Sequence, residues 1–192
     1  MKKLLSLALI FCLLASVSVS CKEEEEDTPA PAETSNGSGT VVYNGKTFQA
    51  KTGVYEDKGA TSLGDGDHSH YNYAFNITDA SPSTLTRMTF NLYLEMFSAG
   101  TSGFRTGTFE WFHPFEFEQE EVQNTNSFWG DLYVDGNNDG VLGMGDDMHE
   151  IWGGQVTVSG SGTDYTISYN LTLEDGKTIT GSFTGKFIKA ED

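Results

Sequence analysis

Oxygen-bearing side chains recur at a regular spacing between residues 135 and 146, and this segment carries the most specific chemistry in the chain. Asp135, Asn137 and Asp139 stand at the first, third and fifth positions of a twelve-residue loop. Gly140 follows at the sixth position, where it permits a sharp turn, and Asp146 closes the loop. Calcium takes roughly six to eight hard oxygen ligands, and a loop with this spacing can wrap around one ion. The spacing therefore predicts a calcium site.

The same segment resembles the calcium loop of EF-hands and dockerins. The resemblance implies the following calcium ligands: Asp135, Asn137, Asp139, Asp146 and the main-chain carbonyl of Val141. The loop departs from those families because it closes with an aspartate instead of the longer glutamate, and because a predicted strand, residues 132–134, enters it. Asp147 or Glu150 could replace the closing ligand. The competing interpretation is a β-turn, which Asn, Asp and Gly also favour.

Large aromatic residues and glutamates alternate in the segment 108–129. Trp111 and Trp129 are the candidate ligand-binding residues, because exposed aromatic rings beside polar groups can stack on sugar rings. The competing interpretation places these rings in the core, where most large aromatic side chains lie. Glutamates such as Glu110 and Glu116 could supply the carboxylates of a glycoside hydrolase, but that chemistry needs a set separation across a cleft, which sequence does not show.

Two histidines form a weaker constellation near the middle of the chain. His68 and His70 would point the same way on a strand, a spacing that zinc can use, and Asp65 and Asp67 precede them. No third ligand is evident nearby. The competing interpretation is a loop that leads into a strand without any metal.

The N-terminus has the organisation of a secretory signal peptide, which we assign to residues 1–20. A basic start precedes an apolar run over residues 4–15 and small residues before Cys21. The run is too short to span a bilayer as a permanent helix. Residues 18–21 resemble a bacterial lipobox, and the resemblance implies cleavage before Cys21 and acylation of that cysteine, which would anchor the protein to a membrane. The competing interpretation is an unmodified cysteine.

A second signal follows the cysteine directly. Lys22 and the acidic run at residues 23–27 resemble the export signal of surface lipoproteins in Bacteroidota. The resemblance implies a location on the outer membrane facing the cell exterior; the competing interpretation is an acidic tail on a periplasmic lipoprotein. Residues 21–39 have little apolar surface and predict a flexible tether, which leaves residues 40–192 as one folded domain.

The formal net charge of the chain is −17. An acidic surface of this kind repels phosphate backbones, so we do not expect nucleic acid as a partner. The sequence also contains no Gly-x-Ser-x-Gly elbow, phosphate-binding glycine loop or His-Glu-x-x-His motif. Enzymatic activity therefore has no motif to support it.

Apolar residues after residue 40 alternate at a period of two, which predicts an all-β domain. The alternation is clearest over residues 71–77, 88–96 and 165–173. Asn44-Gly45 predicts a tight hairpin, and Asp175-Gly176 separates the last strands of a C-terminal three-strand meander. The pattern predicts a single antiparallel β-sandwich or barrel of roughly eight to ten strands, without choosing between the two.

The chain as a whole resembles small β-rich lipoproteins of Bacteroidota, most clearly over residues 154–158, 165–167 and 175–185. The first functional hypothesis is a non-catalytic surface module that binds a glycan or a protein. The second is a lipocalin-like carrier of an apolar small molecule, with a cavity lined by the inward side chains Tyr71, Phe75, Phe90 and Leu94. The third is a surface glycan hydrolase.

Overall fold

A computed structural model describes residues 36–64, 67–82, 85, 87–117 and 122–190 of the chain. Residues 32–192 form a compact unit of their own. The predicted signal peptide, the lipidation site Cys21, most of the predicted tether and Asp65 lie outside the described residues. Strand β1 begins at Gly37, so the described domain starts slightly before the boundary predicted at residue 40.

The regular secondary structure of the described residues is almost entirely β-strand, which confirms the predicted fold class. The strands in chain order are β1 (Gly37–Tyr43), β2 (Lys46–Ala50), β3 (Thr52–Thr61), β4 (His70–Thr78), β5 (Phe90–Ala99), β6 (Gly107–Trp111), β7 (Ser127–Val134), β8 (Asp147–Ser161), β9 (Asp164–Leu173), β10 (Thr178–Lys186) and β11 (Ile188–Lys189). No helix among the described residues has the length and hydrophobicity that a membrane span requires.

All eleven strands belong to one curled sheet that forms a half-barrel. Their order is β11-β3-β4-β5-β7-β6-β8-β9-β10-β1-β2. The sheet has more strands than the predicted eight to ten, and it is mixed, because β6 pairs with β7 and β11 pairs with β3 in parallel. A parallel pair needs a crossover connection, and residues 112–126 supply it between β6 and β7.

The local turn predictions are confirmed. Asn44 and Gly45 both have positive φ, 48° and 73°, as a two-residue hairpin between β1 and β2 requires. Strands β8, β9 and β10 are consecutive antiparallel neighbours and form the predicted meander. Gly176, with φ of 79°, lies in the turn between β9 and β10.

The sheet curls because β2 and β3 are one strand bent at a single residue. Lys51 separates them, β2 pairs with β1, and β3 pairs with β4. The side chain of Asn36 strengthens this corner: it donates to the carbonyl of Gly53 at 2.8 Å and accepts from the Gly53 amide at 3.0 Å. The concave side of the sheet therefore encloses a core, whose largest fully buried side chains include Phe75, Phe109 and Phe128.

A fork in the sheet positions the candidate site. Strand β7 pairs with β8 directly over Asp131–Val134, whereas its other end is separated from β8 by β6. Strand β6 thus lies between β7 and β8 at this end of the sheet, and its last residue is Trp111. The outer surface of the sheet is interrupted at this point, and side chains from β6, β7 and β8 meet there.

Candidate functional site

A cleft of about 280 Å³ lies at the fork between β6, β7 and β8. We call it the aromatic cleft. Its aromatic side chains are Trp111, His113, Phe115, Trp129 and Trp152. Its remaining contributors include Met148 and two carboxylates, Asp131 and Glu150. All three tryptophans of the chain are therefore in this one place.

Trp111 closes the apex of the fork. It is the last residue of β6 and is partly buried against the core. Its indole Nε1 donates a hydrogen bond of 2.6 Å to the carbonyl oxygen of Ile151 on β8. This bond fixes the ring between the separating strands, so that its position does not depend on a ligand.

Trp152 lies at a β-bulge in β8, on the same face of the strand as Glu150. Ile151 pairs with Leu173 and Gly153 pairs with Thr172, so Trp152 has no partner of its own on β9. Such bulges redirect a side chain, and they are frequent beside binding and active sites. The Trp152 side chain is 44% exposed, and its Nε1 donates to Glu150 Oε2 at 3.1 Å.

The loop that leaves β6 supplies a second aromatic wall. The ring of His113 lies 6.0 Å from that of Trp111 and 5.7 Å from that of Trp152, both edge to face. Phe115 follows and is 89% exposed, while Met148 on β8 is 53% exposed. A soluble domain rarely leaves a contiguous apolar group of this size in water, and such a group marks an interaction site.

Trp129 forms the other side of the aromatic cleft, and Tyr93 packs against it. Its ring packs edge to face on Tyr93, with the centroids 5.5 Å apart. The Tyr93 hydroxyl donates to Glu95 Oε2 at 2.6 Å, and Lys58 lies 3.3 Å from Glu95 Oε1. Burial, and secondarily the hydrogen bond to Glu95, raise the pKa of Tyr93.

Asp131 and Glu150 face each other across β7 and β8. The two residues are direct register partners, so their side chains leave the sheet on the same face. Loss of water around the partly buried Asp131 raises its pKa, and the nearby charge of Glu150 raises it further. Among the described residues that line the cleft, none is a lysine or an arginine. Asp131 and Glu150 therefore bring hydrogen-bond acceptors and negative charge to the base of the cleft, and the aromatic side chains form its walls.

The two tryptophans selected from sequence thus lie in the same cleft. Sequence reasoning missed Trp152 and Asp131, and it considered Glu150 only as a substitute calcium ligand. The bulge has a weak sequence signal, since Gly153-Gly154 follows Trp152 directly and glycines in a strand often mark bulges. The pairing of Asp131 with Glu150 depends on register and has no local signal.

The predicted calcium loop is built from turns in which side chains accept main-chain hydrogen bonds. Asp135 is buried, and its carboxylate accepts from the amides of Asp139 at 3.1 Å and Gly140 at 2.8 Å. Asn137 Oδ1 accepts from the same Asp139 amide at 2.8 Å. Gly140 has φ of 85°, which gives the sharp turn expected at this position. The chain therefore turns around Asp135, which both the calcium-loop and the β-turn interpretations predict.

The predicted ligand at the C-terminal end of the loop, Asp146, makes fewer hydrogen bonds than Asp135 does at the start. Asp146 Oδ2 accepts from the Gly143 amide at 2.6 Å, and its buried Oδ1 has no hydrogen-bond partner among the described residues. A Cβ placed on Gly136 would come within 2.6 Å of Asp147 Oδ2, so Asp147 lies beside the start of the loop. Within the described part of the chain, no three His, Cys, Asp or Glu side chains are grouped as metal ligands.

His68 and His70, the predicted zinc ligands, lie in different surroundings. His70 is fully buried, and both of its ring nitrogens are engaged, with Ser69 Oγ at 2.7 Å and the carbonyl of Thr125 at 3.1 Å. His68 is exposed. His70 therefore ties β4 to the segment before β7, and this role is structural.

The inward residues considered for a carrier form part of the packed core. Phe75, Phe90 and Leu94 are fully buried, whereas Tyr71 is only partly buried. The ring of Phe75 lies 5.5 Å from that of Tyr165 and 5.4 Å from that of Phe187. Side chains from opposite parts of the curled sheet thus meet at this position.

Comparisons with known protein families, with curated proteins and with solved structures gave no match. The functional argument therefore depends on the geometry of the site.

Proposed function

We propose that this protein is a non-catalytic glycan-binding module, carried on the bacterial outer membrane by a lipid anchor at Cys21. The observation that supports the binding role best is the aromatic cleft, where three tryptophans from three strands surround two carboxylates. Aromatic rings offer apolar faces to the C–H groups of sugar rings, and carboxylates accept hydrogen bonds from sugar hydroxyls.

The size of the cleft fits a short stretch of a glycan. Its volume of about 280 Å³ is slightly below the roughly 300–1,000 Å³ that is usual for small-molecule sites. The walls are also rigid, because Trp111 is hydrogen-bonded to β8 and Trp129 is supported by Tyr93. A preorganised site loses less conformational entropy on binding, which suits a module that acts by affinity alone.

Truncation of the bulged tryptophan tests this proposal. We expect Trp152→Ala to weaken glycan binding by about tenfold or more, since loss of an aromatic stacking partner typically costs about 1–3 kcal/mol. The measurement is calorimetric titration of the purified protein with oligosaccharides chosen from a glycan array. Tyr133→Ala is the matched control, because Tyr133 lies on the same face of β7 and does not line the cleft. Equal affinities for Trp152→Ala and the parent protein would contradict the proposal.

A hydrolase is the alternative that the two carboxylates of the site support. Asp131 and Glu150 are adjacent carboxylates with different surroundings, and a glycosidase needs one protonated and one ionised carboxyl group. Such an enzyme would release reducing ends from a panel of surface polysaccharides, and Glu150→Gln would abolish the release. A binding module would give no turnover with the parent protein.

A lipocalin-like carrier has less support. Phe75, Phe90 and Leu94 pack into one core cluster with residues from the other side of the sheet. A carrier would take up a hydrophobic dye in its folded state and release it to a competing ligand. Because a dye could also bind the exposed aromatic cleft, the carrier is supported only by uptake that persists in Trp152→Ala.

Calcium in the Asp135 loop is a further part of the proposal. The donor set is oxygen only, Gly140 turns as required, and Asp146 Oδ1 is left without a partner among the described residues. The ion would be held by Asp135, Asn137, Asp139, Asp146 and the carbonyl of Val141, and it would order the connection between β7 and β8. Calcium titration of chelator-treated protein tests this: Asp135→Ala combined with Asp139→Ala should abolish binding, and the absence of heat at millimolar calcium would overturn it.

A further inference from the structure

The charge of the aromatic cleft narrows the class of glycan that it can bind, and this argument rests on the proposed function. The cleft contains two carboxylates, Asp131 and Glu150, on directly opposed positions of β7 and β8. His113 is the one other titratable side chain among its described lining residues. Two like charges opposite each other on a sheet destabilise the fold unless something compensates them.

The surroundings offer little compensation from the protein. Lys58, which lies behind the Trp129 wall, is already paired with Glu95 at 3.3 Å. The carboxylate of Glu150 accepts a hydrogen bond from the Trp152 indole, which is itself neutral. The chain as a whole carries a formal net charge of −17, so its long-range field also attracts cations and repels anions.

The aromatic walls favour the same kind of ligand. Indole faces attract cations through the negative potential of the ring, and tryptophan does so most strongly among the aromatic side chains. The rings of His113 and Trp152 meet edge to face, 5.7 Å apart, beside the carboxylate of Glu150. A cationic group that enters the cleft would therefore meet aromatic faces on its sides and carboxylates below.

We propose that the aromatic cleft selects glycans that carry protonated amino groups, such as polymers of unacetylated glucosamine, over neutral and acidic glycans. The sugar ring would stack on a tryptophan, and its ammonium group would lie between Asp131 and Glu150. Uronic acids and sulfated sugars would be excluded, because their charges would face the same two carboxylates.

The test compares three probes of similar length: a glucosamine hexamer, an N-acetylglucosamine hexamer and a galacturonic acid hexamer. We expect the glucosamine hexamer to bind the purified protein about tenfold or more tightly than its acetylated counterpart, because a charge-assisted contact is lost on acetylation. We expect no binding of the galacturonic acid hexamer. In the double variant Asp131→Asn, Glu150→Gln, the glucosamine hexamer and the N-acetylglucosamine hexamer should bind with about equal affinity.

A matched control separates the cleft from the general acidity of the chain. Asp67→Asn combined with Asp164→Asn removes the same charge at exposed positions outside the cleft, and it should preserve the preference. Equal loss in both double variants, or equal affinity for the two glucosamine-based hexamers, would overturn the inference. If the acetylated hexamer binds as tightly and Trp152→Ala abolishes that binding, the proposed glycan-binding function survives while this inference fails. If no hexamer binds and a wider glycan array is also negative, both fail.

Discussion

Asp131 contributes a carboxylate to the aromatic cleft, and the same carboxylate lowers the stability of the folded protein. It is partly buried on the outer face of β7, with another carboxylate directly opposite. Desolvation, and then the charge of Glu150, raise its pKa above the ordinary value of 3.8. Ionised Asp131 is therefore in a less favourable environment in the folded protein than in the unfolded chain, which is a common property of functional residues.

This leads to a prediction about stability and pH. Because folding raises the pKa of Asp131 above 3.8, the folded state binds more protons than the unfolded state at pH values around and between the two pKa values, and the contribution of Asp131 to stability falls as the pH rises through that window. We expect Asp131→Asn to be more stable than the parent protein at pH 7, and the advantage to disappear near pH 3.5. Chemical denaturation at the two pH values measures this. Asp67→Asn, at an exposed position, is the control.

A lower stability of Asp131→Asn at pH 7 would contradict this account. It would mean that the carboxylate is compensated within the folded protein, and that the cleft has no unmet negative charge to offer a ligand. The same variant therefore tests the electrostatic basis of the site without any ligand present.

At the scale of elements, the site depends on the fork and the bulge. Strand β6 separates one end of β7 from β8 and ends in Trp111, and Trp152 lies at the bulge in β8. Neither feature can be supplied by one strand alone. The cleft is therefore a property of three strands that come from distant parts of the chain.

Gly154 offers a direct test of the bulge. It follows the bulge with φ of 107°, and a Cβ there would lie 2.2 Å from the carbonyl oxygen of Asn170 on β9. We expect Gly154→Ala to lower the free energy of unfolding by about 1–3 kcal/mol or more, because β8 and β9 must part and the backbone is strained. Glycan affinity should fall with it, since Trp152 is displaced.

Gly153→Ala is the matched control, because the nearest atom to its Cβ would be the Cβ of Thr172 at an ordinary 3.7 Å. This variant should keep both stability and affinity close to those of the parent protein. Denaturation curves and the hexamer titration measure the two effects. If Gly154→Ala were as well tolerated as Gly153→Ala, the bulge would not be the feature that positions Trp152.

At the scale of the whole molecule, the proposed anchor and the cleft belong to separate parts of the chain. Among the described residues, the core cluster runs from Val41 to Phe187. A domain of this kind can fold independently of the membrane and present its cleft at the end of a tether.

Surface display follows from this arrangement if the N-terminal signals act as proposed. We expect a protease added to intact cells to release the domain, and we expect Cys21→Ala to abolish labelling by a radioactive fatty acid and to free the protein from the membrane fraction. A periplasmic marker lipoprotein is the control for cell integrity. Protection of the domain on intact cells would contradict surface display while leaving the anchor in place.

Much of the fold follows from the sequence by itself. The period-two alternation at residues 165–173 determines that the segment is a strand with one buried face, and Asp175-Gly176 determines where the next turn falls. These are local effects, because side-chain direction and turn conformation depend on neighbouring residues. The all-β class, the first hairpin and the C-terminal meander were predictable for this reason, as were Trp111 and Trp129 as candidates.

Only the tertiary structure decided how those candidates become a site. The insertion of β6 between β7 and β8, its parallel pairing with β7 and the opposition of Asp131 and Glu150 all depend on strand register between distant segments. Alternation tells which face a residue occupies and not which strand lies beside it. The core reaches its lowest free energy through one particular set of pairings, and that collective choice brings three tryptophans and two carboxylates into one cleft.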